Sequence, residues 1–368
     1  MPCIPEKIWS MIQEKQELPA VWTKENGRYN PISYTEFGDM LVRLTQFLSG
    51  KGINPGDKIA LMSANRYEWP VIDLAIQSCA AVNVPLYPNI NTESVRKALI
   101  HSGAKMLILA NRELYEKHRS ALEGLQVQLI TIENVSSEIP HLSWLRLAKA
   151  TMDERLAYLE KITALDEHAL ISINYTSGTT GEPKGVMLTH KNILADMEGA
   201  LATLTIHPTD RFLSFLPLSH GFERTAGYYI PLSVGAEIAY AEGMLTVIEN
   251  AKEIHPTIIT TVPRLLEKVY ENVNAAIAQG SVLKKTLFGQ AAKIGAKASA
   301  AEKLSRWEKF QHNLFEKLIY SKIRTQISPQ LRLFISGGAP LSSAINIFFR
   351  SLNIGIVEGY GLTETSPV

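Results

Sequence analysis

The sequence predicts an α/β fold made of two similar layered subdomains, each a largely parallel sheet flanked by helices, cut short at its end. Three observations carry that expectation. From residue 58 onward, short β-rich runs alternate with helical patterns, the arrangement that builds parallel sheets covered by helices. The pattern occurs once before and once after about residue 170. A chain of 368 residues is also too long for one ordinary core. The expected domains are 1–170 and 171–368.

In the first half, KIALMS (58–63), KMLILA (105–110) and VQLITIE (127–133) read as strands, with a helix over 66–81 between the first two. In the second half, strands are expected at 170–175, 211–216, 236–241, 257–262 and 330–336. Helices are expected at 191–204, 244–254, 263–279 and 340–352. Residues 281–326 differ in composition: ten Lys and Arg against Glu302, Glu308 and Glu316, a difference of 10 − 3 = +7 in a chain whose total is +1. Leu304, Trp307, Phe310, Leu314, Phe315 and Leu318 are interleaved at helical spacing, which reads as a basic amphipathic helical insertion. Such a segment is either the solvated face of a packed helix or a contact with an anionic membrane surface or polyanionic ligand.

Composition excludes several classes. Apolar residues at 46% and charged residues at 20% argue against wholesale disorder. The balance of 37 basic against 36 acidic residues gives no reason to expect nucleic acid as a partner. Cys3 and Cys79, the only cysteines, make neither a disulfide framework nor a metal cluster and fit a reducing compartment. Residues 1–7 lack the pattern of a signal peptide. The apolar stretch 71–88 is interrupted by Asp73, Gln77 and Asn83 and is no membrane span. A cytoplasmic location is expected, with contact at the inner face of a membrane as an option.

The chemistry concentrates in YTSGTTGEPKG, residues 175–185. Glycines such as Gly178 and Gly181 let a backbone turn several N–H groups inward, where an anion can sit. Thr176, Ser177, Thr179 and Thr180 add hydroxyls, and Lys184 supplies a charge for phosphate oxygens. The spacing departs from the common P-loop, because Gly181 is followed by Glu-Pro-Lys. A phosphate cradle and a plain mobile turn both remain open on these residues alone. Two further places favour the cradle. SGGAP (336–340) follows a strand, and its Gly338, Ala339 and Pro340 could let a flat ring approach the backbone or could simply make a tight β–α turn. GYGLTE (359–364) offers the Tyr360 face beside Gly361, the Thr363 hydroxyl and the Glu364 carboxylate: stacking, phosphate contact and Mg²⁺ contact respectively. All three follow candidate strand ends, where ligands of parallel sheets gather.

YTSGTTGEPKGV together with GYGLTET resembles the AMP-forming, adenylate-forming superfamily, which includes acyl-CoA synthetases, luciferases and the adenylation domains of peptide synthetases. SFLPLSHGFERTAGYY (214–229), TTVPRLLEKVY (260–270) and FISGGAPLS (334–342) extend the resemblance over nearly the whole chain. GYGLTET is similar to the acyl-CoA synthetase branch, since peptide-synthetase domains more often carry proline where Leu362 stands. PLSHGFER and the basic insertion resemble the long-chain fatty acid enzymes.

The resemblance implies roles. Thr176 to Lys184 would hold the β- and γ-phosphates of ATP and release pyrophosphate; Gly338, Ala339 and Pro340 would line the adenine pocket, with Tyr360 against the ring. Thr363 would contact the α-phosphate, Glu364 the Mg²⁺, and His220 would gate the reacting carboxylate, unless it is a satisfied histidine at a strand end. Val262 and Pro263 would line an acyl tunnel. The expected reaction is attack of a fatty acid carboxylate on the α-phosphorus to give acyl-AMP, followed by displacement of AMP by the CoA thiol. Such chemistry needs positioning and charge neutralisation more than a nucleophilic side chain, and no GxSxG elbow is present. The chain ends at the motif-like YGLTETSPV. It stops before the family's ribose-binding aspartate, hinge and C-terminal domain with its catalytic lysine, so an impaired fragment is expected. The rival readings are a ligase for an aryl or medium-chain acid, and a nucleotide-binding module without turnover.

Overall fold

The structure is a computed structural model that describes residues 2–176, 184–299 and 304–366, apart from the side chains at 284 and 299. The first strands are β1 (Pro19–Glu25), β2 (Arg28–Ser33), β3 (Lys58–Met62), β4 (Val82–Leu86), β5 (Ala104–Leu109), β6 (Gln128–Thr131), β7 (Leu170–Thr176) and β8 (Lys184–Thr189). They are followed by β9 (Arg211–Ser214), β10 (Glu237–Tyr240), β11 (Ile258–Thr261), β12 (Leu333–Ser336) and β13 (Gly355–Glu358). Their apolar runs are short and mostly buried on both faces, as strands between helical layers must be.

Two compact units result. The first comprises Met1–Thr209, Leu216–Tyr240 and Gly361–Val368. It carries a sheet of order β6-β5-β3-β4-β7-β8, parallel except for the closing β7–β8 hairpin. It also carries β10, β1 and β2, where β1 pairs parallel with β10 (Val21 opposite Ile238) and antiparallel with β2. One apolar cluster runs through this unit, from Ile4 and Trp9 through Trp69 and Leu107 to Tyr228 and Tyr240. The helix Glu68–Ser78 is buried along its whole length. Capping boxes set the starts of the helices Tyr34–Gly50 (Ser33 with Glu36) and Met152–Thr163 (Thr151 with Glu154).

The second unit comprises Asp210–Phe215 and Ala241–Tyr360. Its sheet, in the order β13-β12-β11-β9, is wholly parallel. Phe348 packs edge-on against Phe349 and Tyr270, with centroids 5.1 and 4.9 Å apart, and Phe349 meets Phe334 at 5.3 Å. Asp210 ties the base of the sheet together by accepting from Thr257 Oγ1 at 2.7 Å and from Arg332 Nε at 2.9 Å.

The α/β class with largely parallel sheets is therefore as expected, while several details differ. A cut at residue 170 would pass between β4 and β7, which are paired at Asn83 and Ser172, and the compact units are drawn from discontinuous segments. The helix expected over 340–352 begins at Ser343, so Pro340 precedes it rather than occupying its first turn. β4 follows the helix Glu68–Ser78 after a short turn and takes up the end of the apolar stretch 71–88. Among the described residues, no helix is long and apolar enough to cross a membrane.

Candidate functional site

In the first unit, β7 and β8 form an antiparallel hairpin whose last register pair is Thr176 opposite Lys184. Ser177, Gly178, Thr179, Thr180 and Gly181 lie between them, outside the described residues. The two residues that flank the loop thus stand side by side, Lys184 exposed and Thr176 half-buried. Gly185, at the next position, leaves little room for a side chain. A Cβ there would lie 2.8 Å from Ile173 Cγ2 and 3.5 Å from the Tyr175 ring. Tyr175 is held in turn by a 2.7 Å hydrogen bond between its hydroxyl and His101 Nδ1. The short 3-10 turn Thr363–Thr365 packs against β8, which brings Thr363 and Glu364 to the strand that begins with Lys184. Gly361 belongs to the same unit. Glu364 is exposed and Thr363 half-buried.

His220 caps a short helical turn, Gly221–Arg224, with its Nδ1 accepting from the Phe222 N–H at 3.2 Å. That bond places the remaining ring proton on Nε2, at the ring's other edge. Burial among its neighbours lowers the basicity of the ring, although part of it remains exposed. The strand-to-turn path before it is fixed by Asn65, whose side chain donates to Leu216 O at 2.6 Å and accepts from Leu218 N at 3.0 Å. Beyond it, Arg224 reaches inward to pair with the buried Asp73 and donates to Ser172 Oγ on β7 at 2.6 Å. The turn that presents His220 and the strand that leads to the glycine loop are therefore tied to one guanidinium. The chain then continues as a π-helical stretch, Thr225–Tyr229, a form found often near functional sites.

In the second unit, β12 and β13 deliver the remaining candidates at their carboxyl ends. Gly338 has φ +83°, a conformation that favours glycine, and Gly338, Ala339 and Pro340 are exposed. Glu358 on β13 anchors this turn by accepting from Leu341 N at 2.9 Å, and Gly359 N donates to Ser336 O at 2.8 Å. Tyr360 follows directly and is 87% exposed. A cavity of about 890 Å³ opens beside the ends of β9 and β11, lined by Phe215, Val262 and Leu265, with Met244 and Leu245 at its rim and Arg264, Glu267, Lys268 and Glu271 along the following helix. Its volume falls within the range that takes small-molecule ligands.

Asn65, Asp73, Ser172, Arg224 and Glu358 were not among the residues expected from sequence. Arg224 had a signal, since it lies in SHGFER, and Asp73 had one as an interruption of the apolar stretch 71–88; Asn65 and Ser172 act through partners distant in sequence. Among the described residues, no group of three or more His, Cys, Asp or Glu could hold a metal ion. A Mg²⁺ bound through substrate phosphates needs only one or two carboxylates, and Glu364 fits that limited donor set.

Comparison with known proteins gives a consistent result. The family model described as "AMP-binding enzyme" matches residues 9–368. The chain is 33% identical over 359 residues to the long-chain-fatty-acid–CoA ligase FadD15 of Mycobacterium bovis, covering 93% of this chain and 57% of that protein. It is 28% identical over 352 residues to the peroxisomal long chain acyl-CoA synthetase 7 of Arabidopsis thaliana, covering 93% of this chain and 49% of the relative. A crystal structure of a benzoate CoA ligase from Burkholderia xenovorans superposes with a TM-score of 0.73 at 19% identity, covering 100% of this chain and 62% of that one. That last likeness is one of fold alone. The chain spans about half the length of the curated relatives it matches.

Proposed function

The chain belongs to the AMP-binding enzyme family, and from that premise we propose that the protein of which it is part activates a long-chain fatty acid with ATP and passes the acyl group to CoA. The observation that carries the proposal is the meeting, within one unit, of the glycine-loop hairpin and the Thr363–Glu364 turn against β8. In this reading Thr176, the loop residues and Lys184 hold the β- and γ-phosphates, and Thr363 holds the α-phosphate. The carboxylate oxygen forms a bond to the α-phosphorus while the bond to pyrophosphate breaks. CoA sulfur then attacks the acyl carbon and AMP leaves.

Neither step asks for a nucleophilic side chain. Each asks that two anions be brought together and that their charge be offset, which a lysine and hydroxyl donors gathered at the phosphates would do. Charge neutralisation on the phosphates is also what a Mg²⁺ held through Glu364 would supply. Gly338 to Pro340 and Tyr360, exposed at neighbouring strand ends, suit a flat adenine ring, and the cavity lined by Phe215, Val262 and Leu265 suits an acyl chain. His220, with an edge left accessible and Nδ1 engaged by Phe222 N, suits a gate beside the carboxylate. Peripheral contact with an anionic membrane through residues 281–326 is compatible with this reading and is not required by it.

The test is Lys184→Ala in the full-length protein, followed by pyrophosphate release with a fatty acid present. Removing one fixed donor from a transition state costs about 10²–10³ in rate. Lys184 is exposed, so the melting temperature should hold. Unchanged turnover would remove Lys184 from the site, and a large fall in melting temperature would make its role structural.

A further inference from the structure

The helix Arg306–Phe315 and its π-helical continuation Glu316–Tyr320 have two unlike faces. The inner one is packed: Phe315 and Tyr320 are buried, and the Tyr320 hydroxyl donates to Ala291 O at 2.6 Å. The outer one carries Trp307, Phe310, Leu314 and Leu318, which are 65%, 58%, 43% and 52% exposed. Their spacing of three, four and four residues makes a single stripe along the helix. Trp307 and Phe310 stack on one another in solvent, with centroids 5.5 Å apart and planes at 21°.

Charge runs beside that stripe. Arg306, Lys309 and Lys317 each stand one residue before a member of it, forming a parallel row, and all three are exposed. The described acidic residues of the segment are spent elsewhere: Glu308 pairs with Lys297 at 2.8 Å, and Glu316 pairs with Arg324. Among the described residues, no ion pair engages Arg306, Lys309 or Lys317.

We propose that this outer face is a docking surface for an anionic lipid bilayer, with the Trp307–Leu318 stripe entering the headgroup boundary and the Arg306–Lys317 row meeting lipid phosphates. An exposed apolar patch rimmed by charge marks an interaction site. Tryptophan suits the level of the headgroups, and a helix with one apolar and one cationic face lies in the plane of the interface. The linear cation row complements a uniformly negative sheet of phosphates. The proposal does not rest on the ligase reading, because docking needs no nucleotide.

The experiment is co-sedimentation of the full-length protein with phosphatidylcholine vesicles, with and without phosphatidylglycerol, across a salt series. Binding only to the anionic vesicles, weakening as salt rises, is expected. Lys309→Gln with Lys317→Gln should lower the affinity about 30-fold, from the typical contribution of a cation near such a surface. Trp307→Ser with Phe310→Ser should remove binding at every salt concentration while melting temperature and ATP-dependent turnover stay unchanged. Failure of the intact protein to bind anionic vesicles would overturn the proposal, as would full binding by the Trp307→Ser, Phe310→Ser variant. Self-association without lipid that this variant abolishes would assign the face to a second copy instead.

Discussion

His190 shows how much one buried side chain can do without any signal in the sequence. It is 1% exposed, and its Nδ1 accepts from the Ile4 N–H at 3.4 Å, satisfying a donor in the first turn of the helix Ile4–Lys15. Burial pushes its pKa down to about 4, with Asp166 pulling weakly the other way. The unfolded chain takes up a proton near pH 6.5 and the folded one only near 4, so stability is complete above 6.5 and falls as pH drops toward 4. The loss should approach about 3 kcal/mol. Urea unfolding of the native chain and of His190→Gln at pH 7 and pH 4.5 isolates it, since the carboxylates and the remaining histidines titrate equally in both. The gap between the two should move by most of that amount, and an unchanged gap would place the acid sensitivity elsewhere. The glycine loop is the opposite case. Its proposed role is drawn from residue type alone, small residues and a lysine, whereas the roles of His190 and Asn65 are created by partners far along the chain.

At the scale of elements, the helix Glu68–Ser78 carries the clearest lesson. Asp73, Gln77 and Asn83 interrupt the apolar stretch 71–88 and so speak against a membrane span. In the fold they form the centre of a buried network. Asp73 accepts from Gln77 Nε2 at 2.9 Å, Asn83 Nδ2 at 2.7 Å and the Tyr229 hydroxyl at 2.7 Å, and it pairs with Arg224. Trp69 stacks against the same guanidinium at 5.5 Å. Both charges are almost fully buried, so removing one leaves the other without compensation. Asp73→Ala should therefore cost about 3–5 kcal/mol in thermal or denaturant unfolding. Replacing both partners, as in Asp73→Leu with Arg224→Met, should cost less than the single change. A single variant within about 1 kcal/mol of the native chain, the size of an exposed pair, would mean that water reaches the network. The polar residues were legible as exceptions to an apolar pattern; which partners they met was not, because Tyr229 and Arg224 lie some 150 residues away. Gly185 makes the same point on a strand: Gly185→Ala would press a methyl onto Ile173 and should destabilise the β7–β8 hairpin by about 1–3 kcal/mol, read as a lowered melting temperature.

For the molecule as a whole, alternation of strands and helices was enough to give the α/β class, and it was not enough to give the units. Strand membership depends on pairings such as Val21 with Ile238 and Asn83 with Ser172, which no local pattern encodes. The same holds for the cavity of the second unit, where Phe215 meets Val262 and Leu265 only through the fold. Acyl preference must therefore be measured rather than read, and thermal unfolding with non-hydrolysable acyl-AMP mimics of short, medium and long acyl length measures it directly. A ligand at about 100 times its dissociation constant adds roughly 2.7 kcal/mol to stability. Because each buried methylene adds about 0.8 kcal/mol, a cavity of about 890 Å³ that holds the chain should give stabilisation rising steadily with length at fixed mimic concentration. A rise that stops at medium length would assign the protein to shorter acids, and greater stabilisation by an aryl mimic would assign it to aromatic ones. Running the series on both this chain and the full-length protein separates affinity from completeness of the site: stabilisation in the longer protein alone would mean that the remainder of the sequence supplies contacts essential to binding. No stabilisation in either would overturn the adenylate reading itself.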